Sequence, residues 1–245
     1  MKGSSINTTT FFSMDLLASV REQILFEDNH LIIVNKRPSE LVQGDKTGDA
    51  SLIENIKFYI KERYQKPGNV YLGLAHRIDR PVSGAVIFAK TSKALSRLNE
   101  QIKNKEIQKT YWAITKNIPP KEEDHLIHWL VKDETKNRSK AFNSEQNGTK
   151  IAELKYKLIS KSKDYALLEI ILITGRHHQI RVQLSKIGCP IKGDLKYGFP
   201  RSNKDASISL HARKLNFIHP VSKEVLEIIA PTPNDPLWDF FSSTQ

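Results

Sequence analysis

Cysteine is almost missing from this chain: Cys189 stands alone among 245 residues. A single thiol excludes an intrachain disulfide framework and fits a reducing compartment. Long apolar runs are missing too, and no stretch nears the roughly 20 apolar residues that a membrane-crossing helix requires. The opening "MKGSSINTTTFFSMDLLASV" has one Lys and little apolar length, which makes a poor secretory signal. Residues 1–19 therefore read as a loose N-terminal extension ahead of a domain over 20–245. No Gly-rich loop ends in Lys-Ser or Lys-Thr, which argues against an NTPase. Ser83, in "VSG", lacks the G-x-S-x-G frame of a nucleophile elbow. Metal-ligand spacing is absent as well. His125 and His128 sit three apart in a strand-like stretch and face opposite ways, while the adjacent His177 and His178 cannot readily share one ion. No metal is expected.

What the chain has in excess is positive charge, with 38 Lys and Arg against 27 Asp and Glu for a net charge of +11. That balance favours a polyanionic partner such as nucleic acid, although a well-solvated basic surface fits charge alone equally well.

Hydrophobic patterning supplies the architecture. "QILFEDNHLIIVNKRP" reads as two strands around a turn, closed by Pro38. In "SLIENIKFYIKERY" the residues Leu52, Ile53, Ile56, Tyr59 and Ile60 mark one helical face, and Ser51 with Glu54 has the spacing of a capping box. "GAVIFAK" is a short apolar run suited to a buried strand, and Leu95, Leu98 and Ile102 mark a second helix. "LIHWLVKD" with "RSKAFN", and "AELKYKLISK" with "YALLEIILIT", read as hairpins. A third helix is expected from Arg176 or His177 to the C-cap Gly188, and a short one in "PLWDFF". Many hairpin-linked strands with a few helices between them favour a single α+β domain around a mixed, mainly antiparallel sheet.

Three stretches combine charged groups with positions that hold them rigid. In "LAHRIDRPVSGAVIFAK", Asp79 lies between Arg77 and Arg80 just ahead of the buried strand. A fixed carboxylate there suits nucleophilic or electrostatic catalysis at a sugar carbon, although from the residue alone an Asp held in a turn by its neighbours is the commoner case. In "LITGRHHQIRVQL", a helix N-terminus beside Arg176 suits a phosphate, with Arg181 further along; an amphipathic helix with a solvated cationic face fits as well. In "KTYWAIT", Tyr111 and Trp112 point to opposite faces of a strand, so one suits the core and the other a platform for a base, although core packing is the commoner fate of either.

Taken in order, "HRIDRPVSGAVIFAK", "KTYWAI", "TGRHHQIRVQLSKIGCPIKGDLKYG" and "LHARKLNFIHP" resemble the RluA family of RNA pseudouridine synthases, over roughly residues 23 to 240. The resemblance implies a single pseudouridine-synthase catalytic domain that isomerises uridines in ribosomal or transfer RNA without a cofactor. It makes Asp79 the catalytic aspartate, Tyr111 the residue packed on the target base and Arg181 the partner of the carboxylate. Arg77 would fill the space vacated by a flipped nucleotide, and Arg176 and Ile180 complete the expected substrate-binding set. Two positions depart from the family pattern: Val82 precedes Ser83 and Gly84 where relatives often have Thr, and Gln183 stands where they often have His. The chain also leaves no room for the small N-terminal RNA-binding domain that many relatives carry. A cytoplasmic monomer with no membrane partner is expected, and a non-catalytic RNA-binding or folding factor on the same scaffold is the alternative.

Overall fold

The computed structural model describes residues 8–44 and 48–243. Helix α1 (Thr8–Gln23) leads into a hairpin of β1 (Ile24–Glu27) and β2 (Leu31–Lys36). Then come α2 (Leu52–Arg63), the two-residue β3 (Gly73–Leu74), β4 (Ser83–Ala89) and α3 (Ser92–Lys103). A run of long strands follows: β5 (Gln108–Lys116), β6 (Glu123–Asp133), β7 (Arg138–Phe142), β8 (Lys150–Lys161) and β9 (Tyr165–Leu172). Helix α4 (Gln179–Lys186), the 3-10 turn η1 (Leu195–Tyr197), β10 (Leu210–Ile218), β11 (Val225–Ile229) and α5 (Pro236–Ser242) complete the chain.

Among the described residues eleven strands join one sheet, in the order β1-β2-β4-β10-β5-β9-β8-β6-β7, with β11 also on β10 and β3 also on β4. Every pairing is antiparallel except β4 with β10. The α+β reading with a mixed, mainly antiparallel sheet therefore holds. The parallel junction is tight. Gly84 has φ +118°, and a Cβ there would lie 2.5 Å from the Ala212 backbone nitrogen, so only glycine lets the two strands meet.

Both faces of the sheet are covered. On one, residues of α2 and α4 pack with Val34, Val86, Ala113 and Ile170 into the main core. On the other, α3 packs over β2 and β4 through Ala94 and Leu98, and α5 sets Trp238 and Phe241 against Trp112 and Leu167. Tyr111 and Trp112 thus part to opposite faces as their adjacency dictates, Trp112 into the core under α5.

Two local expectations give way. The segment 1–19 is not a loose extension where it is described: helix runs from Thr8, Val20 is buried, and Leu16 and Leu17 pack on the main core. Residues 1–7 lie outside the described residues. Ser51 is the N-cap of α2, but its side chain makes no capping bond. The free N–H groups of Leu52 and Ile53 donate instead to the carbonyls of Leu41 and Val42, so the loop preceding the helix satisfies its terminus.

Candidate active site

Asp79 sits in the loop between β3 and β4. A turn presents it, closed by the Val82 N–H donating to the Asp79 carbonyl at 3.0 Å. The next carbonyl, that of Arg80, accepts from the Ser39 N–H at 2.9 Å and from Lys36 Nζ at 3.0 Å. Lys36 is fully buried and also donates to the carbonyls of Arg37 and Glu40. Burial brings its pKa down to about 8. One buried ammonium therefore ties the Asp79 loop to the loop after β2.

Neither arginine beside Asp79 in the sequence is the one at its carboxylate. Arg80 turns away to Asp49 (2.8 Å) and the Ser39 carbonyl (3.1 Å), and Arg77 is exposed at the cavity rim. The partner comes from α4: Arg181 Nη1 donates to Asp79 Oδ2 at 3.0 Å. Its other edge holds Asp194 in two bonds, Nε to Oδ2 at 2.7 Å and Nη2 to Oδ1 at 2.9 Å. Both residues are deeply buried, at 5% exposure for Arg181 and 1% for Asp194. Burial acts to lower the guanidinium pKa, yet the bonds and charges of Asp194 and Asp79 outweigh it, and the net shift is upward.

His178 completes the surroundings of the carboxylate, with Nε2 at 3.6 Å from Asp79 Oδ2. Burial first, then the Arg181 charge, lowers its pKa to about 2, so its imidazole is neutral. Tyr111 is buried on β5, and burial followed by the Asp79 charge raises its phenol well above the usual range. A phenol that resists ionisation is a poor proton acceptor at neutral pH, so its surroundings suit packing on a base better than proton removal.

Helix α4 begins later than its sequence suggests. Gln179 is its first residue, and the N-cap His178 lies in the left-handed region at φ 53°. That conformation costs a non-glycine residue about 1 kcal/mol. The loop before it is closed by the Gln179 side chain, which accepts from the Arg176 N–H (2.9 Å) and the Thr174 hydroxyl (2.7 Å) and donates to the Glu153 carbonyl (2.9 Å). The Arg176 backbone N–H is thus occupied within the loop. Arg176 Nε donates to the Ile151 carbonyl at 3.0 Å.

Arg77, Asp79, Tyr111, Arg176, Ile180 and Arg181 all line one cavity of about 700 Å³. A volume of that order suits a small-molecule-sized group such as a nucleotide. These residues come from two loops, a strand and a helix, and the fold brings them together. A family model for RNA pseudouridylate synthase matches residues 30–186. The chain belongs to the RNA pseudouridylate synthase family. Its activity is that of an isomerase converting uridine to pseudouridine in RNA. "Ribosomal large subunit pseudouridine synthase C" of Buchnera aphidicola subsp. Acyrthosiphon pisum (strain APS) is 34% identical over 235 residues, covering 92% of this chain and 72% of that protein. "Ribosomal large subunit pseudouridine synthase D" of Zymomonas mobilis subsp. mobilis (strain ATCC 31821 / ZM4 / CP4) is 33% identical over 224 residues, covering 87% and 70%. In fold, human RNA pseudouridylate synthase domain containing 4 superposes with a TM-score of 0.77 at 23% identity, over 95% of each chain.

Four residues of this synthase site escaped the reading of the sequence: Lys36, His178, Asp194 and Tyr197. In "GDLKYG" Asp194 caps η1 and Tyr197 ends it, and the glycines on either side, both at positive φ, were the available signal of a rigid turn. Gln183 is fully enclosed, its Nε2 within 3.3 Å of the Leu126 and Ala152 carbonyls and 3.0 Å from His128 Nδ1. It tethers α4 to β6 and β8 and does not line the cavity.

Proposed function

We propose that this synthase isomerises specific uridines of ribosomal RNA, with Asp79 as the catalytic carboxylate. The bond from ribose C1′ to uracil N1 breaks, the ring turns, and C1′ joins C5. C5 gives up a proton and N1 ends with one, so atoms and electrons balance without oxidant, metal or cofactor. Asp79 opens the reaction either as nucleophile at C1′ or as base at the neighbouring C2′.

The observation that carries this reading is a carboxylate held at one oxygen by Arg181 inside a cavity walled by Tyr111, Ile180, Val82 and Leu210. Apolar walls exclude the water that would otherwise hydrolyse the activated sugar. In this reading Tyr111 packs on the detached uracil and Ile180 forms the wall beside it. The uridine must leave its stack, at a cost of a few kcal/mol. Arg77 at the rim and Arg176 beyond it, with the net charge of +11, offset that cost through phosphate contacts. The relatives named for the large ribosomal subunit favour ribosomal over transfer RNA. In this reading the protein works as a monomer in the cytoplasm, where ribosomal RNA is its partner. Among the described residues no helix is long and apolar enough to cross a membrane.

The test is tritium release from RNA labelled at uracil C5, taken from a strain lacking this gene. Release that depends on Asp79 is the expected outcome. Tight, salt-sensitive binding without release would replace the enzyme with a non-catalytic RNA-binding factor.

A further inference from the structure

Tyr197 is buried beside the Asp79 site, and its hydroxyl faces two groups. It accepts the Ser139 N–H at 2.7 Å, and it lies 2.9 Å from His178 Nδ1. The far nitrogen of that imidazole, Nε2, faces Asp79 Oδ2. A neutral imidazole carries one N–H and one lone pair, so the two nitrogens must take opposite roles. A lone pair on Nε2 would face the carboxylate with like charge, whereas an N–H there faces it favourably. Nδ1 must then accept, and the only proton available between it and Tyr197 is the phenolic one. The phenol in turn is free to give that proton, because its oxygen already receives the Ser139 N–H.

The ring is also fixed in orientation. His177 stacks on it with centroids 3.8 Å apart and planes at 25°. His177 is held in its turn, with Nδ1 at 2.9 Å from the Ser139 hydroxyl and Nε2 at 3.1 Å from Asn137 Oδ1. Tyr197 meets His178 edge to face at 5.6 Å. Ser139 therefore anchors both the phenol and the stacked ring that confine His178.

We propose that Tyr197 is a positioning residue: its hydroxyl fixes His178 as the Nε2–H tautomer, which turns an N–H toward Asp79 Oδ2 beside Arg181. Both neighbours then address the same oxygen. Among the described residues Oδ1 carries no hydrogen bond, so Oδ1 is the oxygen left for the substrate. The low pKa of His178 agrees with this, since a cation there would lose the acceptor that Tyr197 needs. The inference rests on Asp79 being the catalytic carboxylate, but the tautomer is measurable without turnover.

The experiment is nitrogen-15 NMR of histidine-labelled protein, wild type and Tyr197→Phe, with His178→Gln used to assign the signals, alongside steady-state kinetics. In the wild type, His178 should show a protonated Nε2 and a pyridine-like Nδ1 at neutral pH. Tyr197→Phe should move His178 toward the other tautomer or a mixture. Its kcat should fall roughly 10- to 100-fold, the size seen when the group orienting a metal-bound histidine is lost, with KM for RNA within about twofold. A merely structural tyrosine would lower the amount of folded enzyme without changing the tautomer of the folded fraction. A wild-type His178 protonated at Nδ1 overturns the proposal, and that measurement stands even where Tyr197→Phe fails to fold. A variant with unchanged ring signals and full kcat overturns it as well. Tritium release that persists in Asp79→Asn would instead defeat the assignment of Asp79, a separate result.

Discussion

Arg181 gives two of its donors to Asp194 and only one to Asp79. The Asp194 pair is buried, whereas the Asp79 side chain keeps about a third of its exposure. The guanidinium is thus positioned by a carboxylate that takes no part in lining the cavity, and it meets Asp79 already in place. Structural anchoring and the reacting group are separated onto two different acids.

From this separation follows the behaviour of Asp79→Asn. The amide keeps the shape and still accepts from Arg181 Nη1, and Arg181 keeps its buried partner. Thermal stability and RNA affinity should stay near wild type, while turnover falls roughly a thousandfold or more. Tritium release and filter binding on the same RNA separate the two quantities. A variant that retains wild-type turnover removes Asp79 from the mechanism.

Arg181→Met should behave in the opposite way. It leaves the Asp194 carboxylate buried without its cation, which typically costs about 3–5 kcal/mol. For a chain of this length that corresponds to a fall in Tm of about 10 °C. Adding Asp194→Leu removes the stranded charge and should recover much of the loss, because an apolar pair avoids the desolvation of both ions. Activity should stay lost in both. Calorimetry of the two variants checks the stability arm, and a single variant as stable as wild type would contradict the buried pairing.

How far this site could be read in the sequence depends on the range of each interaction. The β6–β7 and β8–β9 hairpins were legible because alternation and turn residues are local. Asp79, Tyr111 and Arg181 were legible through the order of motifs, not through their neighbours; locally, Arg77 and Arg80 looked like the partners of Asp79. Asp194 was silent because its meaning depends on α4 turning Arg181 toward it. Lys36 carried no local signal, since it is a buried anchor only through two carbonyls of the loop after β2 and one of the Asp79 loop. The cap at Ser51 failed for the same reason, since carbonyls of the preceding loop outcompeted the side chain. Helix α1 was missed because "TTTFFSM" is poor in helix formers, and its stability comes from Leu16, Leu17 and Val20 against the core.

Stability should decline as pH falls below about 6.5. Burial holds His76 at a pKa of about 3, His211 at about 4 and His178 at about 2. Their unfolded values are near 6.5, so between these limits the unfolded chain binds protons that the folded chain does not. The stabilisation is complete above pH 6.5 and is lost progressively toward the folded values, by up to about 1.4 kcal/mol per pH unit for each histidine. Urea denaturation at pH 7, 5.5 and 4.5 measures the slope. A flat profile across that range would mean that these imidazoles take up protons in the folded state.

Arg77 gives the clearest separation between holding RNA and opening it. It is exposed, lines the cavity and lies two residues from Asp79. If it contacts only a phosphate, Arg77→Ala should weaken every RNA alike and reduce the slope of log affinity against log salt by about one. If it also fills the gap left by the flipped uridine, the loss should be greater for a folded stem-loop than for an unpaired oligonucleotide of the same sequence, because only the stem-loop must be unstacked. The second outcome is expected, since Arg77 and Asp79 line the same cavity, and a uridine that enters it has to leave its stack. Binding and tritium release measured on both RNAs across a salt series decide between them, and equal losses on the two would confine Arg77 to the phosphate contact.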